Sequence, residues 1–142
     1  MIGRKDAIDA MKLLRSQIDF GIFIPAQMGA SAALKGSKDG VKRQCRLYQE
    51  RRDALCGGFR SIGWNVPDSE GTMFVWAPVP KGYTSRSFTM ALMEKAGVLC
   101  TPGDAFGSRG EGYVRFALVL PPEELKKVVQ AVKESGVLPE EE

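Results

Sequence analysis

Histidine is missing altogether from this chain. No Ser-His or Cys-His nucleophile pair can therefore be assembled within it, and no metal site is expected, because zinc would lose its usual nitrogen ligand. Any catalysis must rest on carboxylates, lysines, a borrowed cofactor or another chain. Cysteine is scarce: Cys45, Cys56 and Cys100 are an odd set without a Cys-x-x-Cys pair. They suit a reducing cytoplasm and read as small buried hydrophobes, not as a disulfide or metal framework. No apolar run approaches the ~20 residues a membrane helix needs, so no membrane partner is expected. Met1-Ile2-Gly3-Arg4-Lys5-Asp6 lacks the apolar centre of a signal peptide. The net charge of +3 is too small to imply nucleic acid. Repeats and low-complexity stretches are absent too, apart from the acidic tip Glu140-Glu141-Glu142, which reads as a solvated terminus.

What is present fits a soluble globular domain. The 142 residues favour one sizeable core, and 44% hydrophobic with 26% charged residues is not a disordered composition. The spacing predicts a helix over residues 5–17, with Ile8, Met11 and Leu14 or Arg15 along one side. An irregular apolar stretch, 19–25, leads to a second helix over roughly 25–35, opened by Pro25 and closed by Gly36. The strongest helical pattern runs from about 39 to 62: Val41, Cys45, Tyr48, Leu55, Phe59 and Ile62 recur at three- and four-residue steps. Arg43, Arg46, Glu50 and Arg60 should face water, and Gly63 should stop the helix in the left-handed conformation. The period then changes. Trp64-Asn65-Val66 and Thr72 to Ala77 read as two strands about a turn at Pro67-Asp68. Thr84 or Ser85 caps a helix containing Phe88, Leu92 and Lys95, ended by Gly97. Val98-Leu99-Cys100 and Tyr113 to Leu120 read as further strands. Pro122-Glu123-Glu124 opens a last helix with the buried stripe Leu125, Val128, Val129 and Val132. The class is α/β (α+β): a long helix, then a small sheet covered on one face by helices.

The segment from Thr101 to Leu118 is the most informative. Its glycines suggest a phosphate loop, but such a loop runs from a strand into a helix, whose N-terminus faces the anion. This one runs into a strand, which favours a tight structural turn. Within that strand Val114, Phe116, Leu118 and Leu120 fall on one face, and Arg115, Ala117 and Val119 on the other. Pattern alone leaves Arg115 open between an arginine on a solvated sheet face and a guanidinium aimed at a carboxylate, which its planar fork suits better than lysine would. Lys42, Arg43, Arg46, Arg51 and Arg52 form a basic cluster that Glu50 and Asp53 interrupt. It reads as a solvated helix face.

Pro-Gly-x-x-Phe-Gly at 102–107, a glycine-rich turn, and Gly-Tyr-x-Arg-hydrophobic-Ala-Leu at 112–118 resemble the small domain of class I/II aminotransferases of fold type I. In that family the arginine of the motif binds the substrate's α-carboxylate, which implies Arg115. Gly71-Thr72-Met73-Phe74-Val75-Trp76-Ala77-Pro78 is similar to the preceding strand of the family, where the chain approaches the substrate. Ile18 to Gln27 resembles the subgroup containing LL-diaminopimelate aminotransferase and related alanine or aromatic transaminases. The resemblance runs over essentially all 142 residues.

It implies pyridoxal 5'-phosphate as cofactor, amino-acid and 2-oxo-acid substrates, a homodimer and a cytoplasmic location. It also implies a gap. The family's Schiff-base lysine stands in a Ser-x-x-Lys motif, followed by a glycine-arginine stretch, and neither is present here. The asparagine, aspartate and tyrosine that grip the pyridoxal ring are missing as well. By this reading residues 1–36 belong to the large cofactor-binding domain and the dimer interface, and residues 37–142 are the small domain. The chain would be an excised piece, a split-gene product or the product of a shortened gene. It would supply Arg115 but no catalytic residue and no covalent hold on the cofactor. Neither Lys81 nor Lys95 matches the lysine motif. Two rival readings share the fold: an effector-binding module of a transcription regulator, and a carbon–sulfur lyase that also uses pyridoxal phosphate.

Overall fold

The structure is a computed structural model that describes residues 2–19 and 21–139; Phe20 of the apolar stretch and the acidic tip Glu140–Glu142 lie outside them. By its internal packing the chain divides into two compact units, Met1–Gly40 and Val41–Glu142. The first unit carries α1 (Lys5–Ser16) and α2 (Ile24–Lys35), and neither helix buries a residue. Pro25 stands in the first turn of α2, where its missing N–H has no helical partner to lose. Lys38 Nζ donates to the carbonyls of Ala33 and Leu34 at 3.2 and 3.0 Å, satisfying acceptors that a helix end leaves free. Met11 and Leu14, which the spacing puts along one side of α1, are exposed.

The long helix α3 (Asp39–Ser61) follows, then β1 (Phe74–Pro78), α4 (Ser85–Ala96), β2 (Thr101–Pro102), β3 (Tyr113–Ala117) and α5 (Pro122–Glu134). The three strands form one antiparallel sheet in the order β1-β3-β2, so the mixed helix-and-sheet class expected from the sequence is the one found. Among the described residues, every buried hydrophobic one falls within Leu55 to Val137. Leu55 and Phe59 from α3, Phe88 and Leu92 from α4, and Leu125, Val129 and Val132 from α5 meet Val75, Ala77, Val114 and Phe116 of the sheet in one core. Phe59 packs on Trp64 and Phe116 with ring centroids 4.5 and 5.4 Å apart. The Trp64 indole donates its N–H to the Pro78 carbonyl at 2.8 Å, so its one polar atom is satisfied inside the core. Gly58 lets α5 approach α3 closely: a β-carbon there would stand 2.6 Å from Val129 Cγ2.

Several expectations need correction. Val41 and Cys45 keep the helical period but are exposed, because the buried residues of α3 begin only at Leu55. Trp64-Asn65-Val66 is not a strand. The Trp64 N–H bonds to the Phe59 carbonyl at 2.9 Å, the Val66 N–H to the Trp64 carbonyl at 2.8 Å, and Arg60 Nη1 to the Val66 carbonyl at 2.7 Å. Those backbone groups are used locally and leave no ladder. Val98-Leu99-Cys100 is not a strand either. Gly97, at φ +65°, ends α4 in the left-handed conformation, and the Val98 N–H returns to the Leu92 carbonyl at 3.1 Å. Pairing therefore starts at Thr101. β3 stops at Ala117, and while Leu118 is buried as expected, Leu120 is exposed. The basic cluster is not uniformly solvated. Arg51 Nη1 donates to the Leu118 carbonyl at 2.9 Å and Arg52 Nη1 to the Ser69 carbonyl at 3.1 Å, so these two tie distant loops to α3. Among the described residues, no helix is long and apolar enough to cross a membrane.

Candidate functional site

The site is built on the open face of the sheet. In β3 the buried Val114 and Phe116 point into the core, which sends Tyr113, Arg115 and Ala117 to the other side. β3 is the central strand, so Arg115 has a neighbour on each flank: Trp76 across β1 and Thr101 across β2. Phe74, two residues before Trp76, shares that face. The half-buried Arg115 guanidinium carbon lies 4.0 Å from the centroid of the Phe74 ring and 4.3 Å from that of Phe106. Among the described residues no carboxylate comes within 4.0 Å of it, and its side chain makes no hydrogen bond to protein. Trp76 packs edge-on against Phe106 and Tyr113, at 5.6 and 5.9 Å between centroids. Beside Arg115 these rings, with Arg109 and Gly110, line a cleft of about 340 Å³.

The glycine-rich segment shapes one wall. It makes two 3-10 turns, Gly103–Phe106 and Ser108–Gly110, joined through Gly107. Gly103 and Gly110 pack backbone to backbone: a β-carbon on either would collide with the other's carbonyl oxygen, and one on Gly103 would also stand 2.7 Å from the Tyr113 oxygen. The expected tight structural turn is what these residues make, and it leads into β3.

Two further contacts fasten it. Arg86 Nε meets Asp104 Oδ2 at 2.6 Å. The buried Ser85 hydroxyl accepts from the Gly112 and Tyr113 N–H groups at 2.9 and 3.3 Å, and the Ser85 N–H donates to Glu111 Oε1 at 2.9 Å. Of the two residues able to cap α4, Thr84 does so, in a reciprocal box with Ser87. That leaves Ser85 free to hold the turn.

The cysteines take no part. Burial pushes the Cys56 thiol up to about 11, and burial also raises that of Cys100, so neither is a thiolate nucleophile at neutral pH. Lysine gives the same answer by position. A lysine holding a cofactor as an imine works desolvated in an enclosed site, whereas every lysine among the described residues is exposed. Among the described residues no lysine is thus placed to hold pyridoxal phosphate as an imine.

The chain belongs to the family of class I and II aminotransferases, whose model matches residues 1–132. It is 44% identical over 131 residues to the LL-diaminopimelate aminotransferase of Moorella thermoacetica, covering 92% of this chain and 34% of that protein. The enzyme of the same name from Halothermothrix orenii is 40% identical over 136 residues, with 96% and 35% covered. Among solved structures, substrate-bound BacF from Bacillus subtilis superposes with a TM-score of 0.85 at 33% identity, covering 95% of this chain and 35% of that one. The chain spans about a third of the length of the curated relatives it matches.

Proposed function

We propose that this chain is the part of a pyridoxal-phosphate-dependent aminotransferase that grips the substrate's α-carboxylate, with Arg115 as the ligand. One observation carries the reading: a half-buried guanidinium on a rigid central strand, flanked by two rings and, among the described residues, without a carboxylate partner. Two parallel N–H···O bonds to a carboxylate would fix both the position and the plane of an amino acid, and holding the reacting carbon in register is a large part of such catalysis. The names of the relatives make LL-diaminopimelate the first amino donor to test, with a 2-oxo acid as acceptor. The three free cysteines suit a cytoplasmic enzyme. The chain alone is proposed to be inactive, with imine chemistry at the cofactor supplied by residues not in it. Treated with pyridoxal phosphate and reduced with borohydride, it should show only scattered substoichiometric labelling by peptide mass spectrometry. One lysine labelled to stoichiometry would overturn this.

We also propose that residues 1–36 serve the large domain and a homodimer interface, and that residues 37–142 are an independent small domain. The support is that α1 and α2 bury nothing while Phe23, Ile24, Met28 and Leu34 are exposed. Burying one such side chain fully is worth ~1.5–3 kcal/mol, so together they favour association. Removing residues 1–36 should leave the circular dichroism of a folded domain and reduce self-association in light scattering. A deletion that unfolds, or associates as strongly as before, would show the division to be mistaken.

A further inference from the structure

Phe106 is a costly residue where it stands. It closes the first 3-10 turn with 49% of its surface exposed, so burial accounts for little of its presence. Its ring touches Arg115, at 4.3 Å from the guanidinium carbon, and Trp76, at 5.6 Å between centroids. The turn holding it is rigid for reasons already given: backbone-to-backbone contact between Gly103 and Gly110, the Arg86–Asp104 pair and the Ser85 hydrogen bonds. All of that local structure fixes one half-exposed ring over one arginine.

We infer that Phe106, together with Phe74, is a positioning residue that holds the Arg115 guanidinium so that its N–H fork meets a planar two-oxygen anion. This deepens, and rests on, the assignment of Arg115 to the substrate carboxylate. A cation over an aromatic face is attracted by the ring quadrupole, more strongly where water is displaced. Arginine's long side chain otherwise has considerable rotamer freedom, which binding must remove. Rings at 4.0 and 4.3 Å, contributed by β1 and by the turn, remove part of it before the ligand arrives. They also stand over the guanidinium, whose N–H groups have no protein partner among the described residues. A carboxylate matches that fork with two parallel hydrogen bonds. The Pro-Gly-x-x-Phe-Gly motif then has a purpose of its own: the glycines build the turn that seats the phenylalanine.

The test uses the chain as it stands, with pyruvate as the probe and the Arg115 Nε–H resonance as the readout. Phe106→Leu, Phe106→Tyr, Phe74→Leu and Arg115→Ala are compared with wild type, each first checked for unchanged circular dichroism. In the wild type the Arg115 signal should be displaced by the ring currents and should move as pyruvate is added. Phe106→Leu should diminish that displacement and raise the apparent dissociation constant at least about fivefold, whereas Phe106→Tyr should stay within about twofold of wild type. Phe74→Leu reports the same effect through the other ring if Phe106→Leu does not fold. A leucine variant that binds as wild type does, while Arg115→Ala loses the response, overturns the positioning role and leaves the carboxylate assignment standing. A response that survives Arg115→Ala overturns that assignment and this inference with it. An Arg115 signal that pyruvate never moves in the wild type overturns the inference as well, since the fork is held to be formed in this domain already.

Discussion

Arg115→Ala, in a full-length enzyme carrying this chain, is expected to weaken amino-acid binding at least about tenfold. Hydrogen bonds to charged groups contribute ~1.5–3 kcal/mol each, and a tenfold change needs ~1.4 kcal/mol. Arg115 has no protein carboxylate among the described residues to satisfy. Its removal therefore strands no ionic partner and forfeits only the contacts with the Phe74 and Phe106 rings, so the loss should be larger in substrate kinetics than in folding. Arg115→Lys should recover only part, because an ammonium keeps the charge and loses the fork. The measurement is kcat/KM for amino donor and for 2-oxo acid, with thermal unfolding as a control. Unchanged kinetics in a folded Arg115→Ala enzyme would remove Arg115 from the site.

Gly110→Ala should strongly damage the turn. Its new β-carbon would meet the backbone of Gly103, which has no rotamer by which to move aside. Overpacking ordinarily costs about 1–3 kcal/mol and occasionally more; a backbone obstacle puts this case at or above the upper end. The turn must open, and Phe106 must leave Arg115 with it. Gly57→Ala is the matched control. It lies in α3 with nothing within 4 Å of the added carbon, so it should gain about 0.4–1 kcal/mol from the stiffer unfolded chain and better helix propensity. Urea midpoints of the two variants should move in opposite directions. A Gly110→Ala midpoint within error of wild type would mean that the close contact is not what holds the turn.

These residues also show where sequence reading succeeds and where it stops. Period-3.6 stripes located α4 and α5 because the core residues of a helix are close neighbours in the chain. Alternation put Arg115 opposite Val114 and Phe116, which is where it stands. The same periodicity misled at Val41 and Cys45, since a stripe announces an apolar side and not the presence of a partner for it. Trp64 and Val66 alternate like a strand and are buried like one, yet their backbone groups bond to the end of α3 and to Arg60. Phe74 and Phe106 were not legible as companions of Arg115. One depends on the register between β1 and β3, the other on how a turn doubles back, and neither is a local property. Ser85 was hidden by Thr84, because either hydroxyl could have capped α4 and only tertiary packing assigns the second one elsewhere.

The two tryptophans fall on different sides of this architecture. Trp64 is 5% exposed in the core with its N–H tied to the Pro78 carbonyl, and Trp76 is 37% exposed on the face that carries Arg115. The molecule thus contains two optical reporters that answer different questions. An aqueous quencher such as iodide should reach Trp76 and spare Trp64. The protected emission would then follow unfolding, the quenchable emission would follow occupation of the Arg115 face, and the two events could be timed separately in one unlabelled sample.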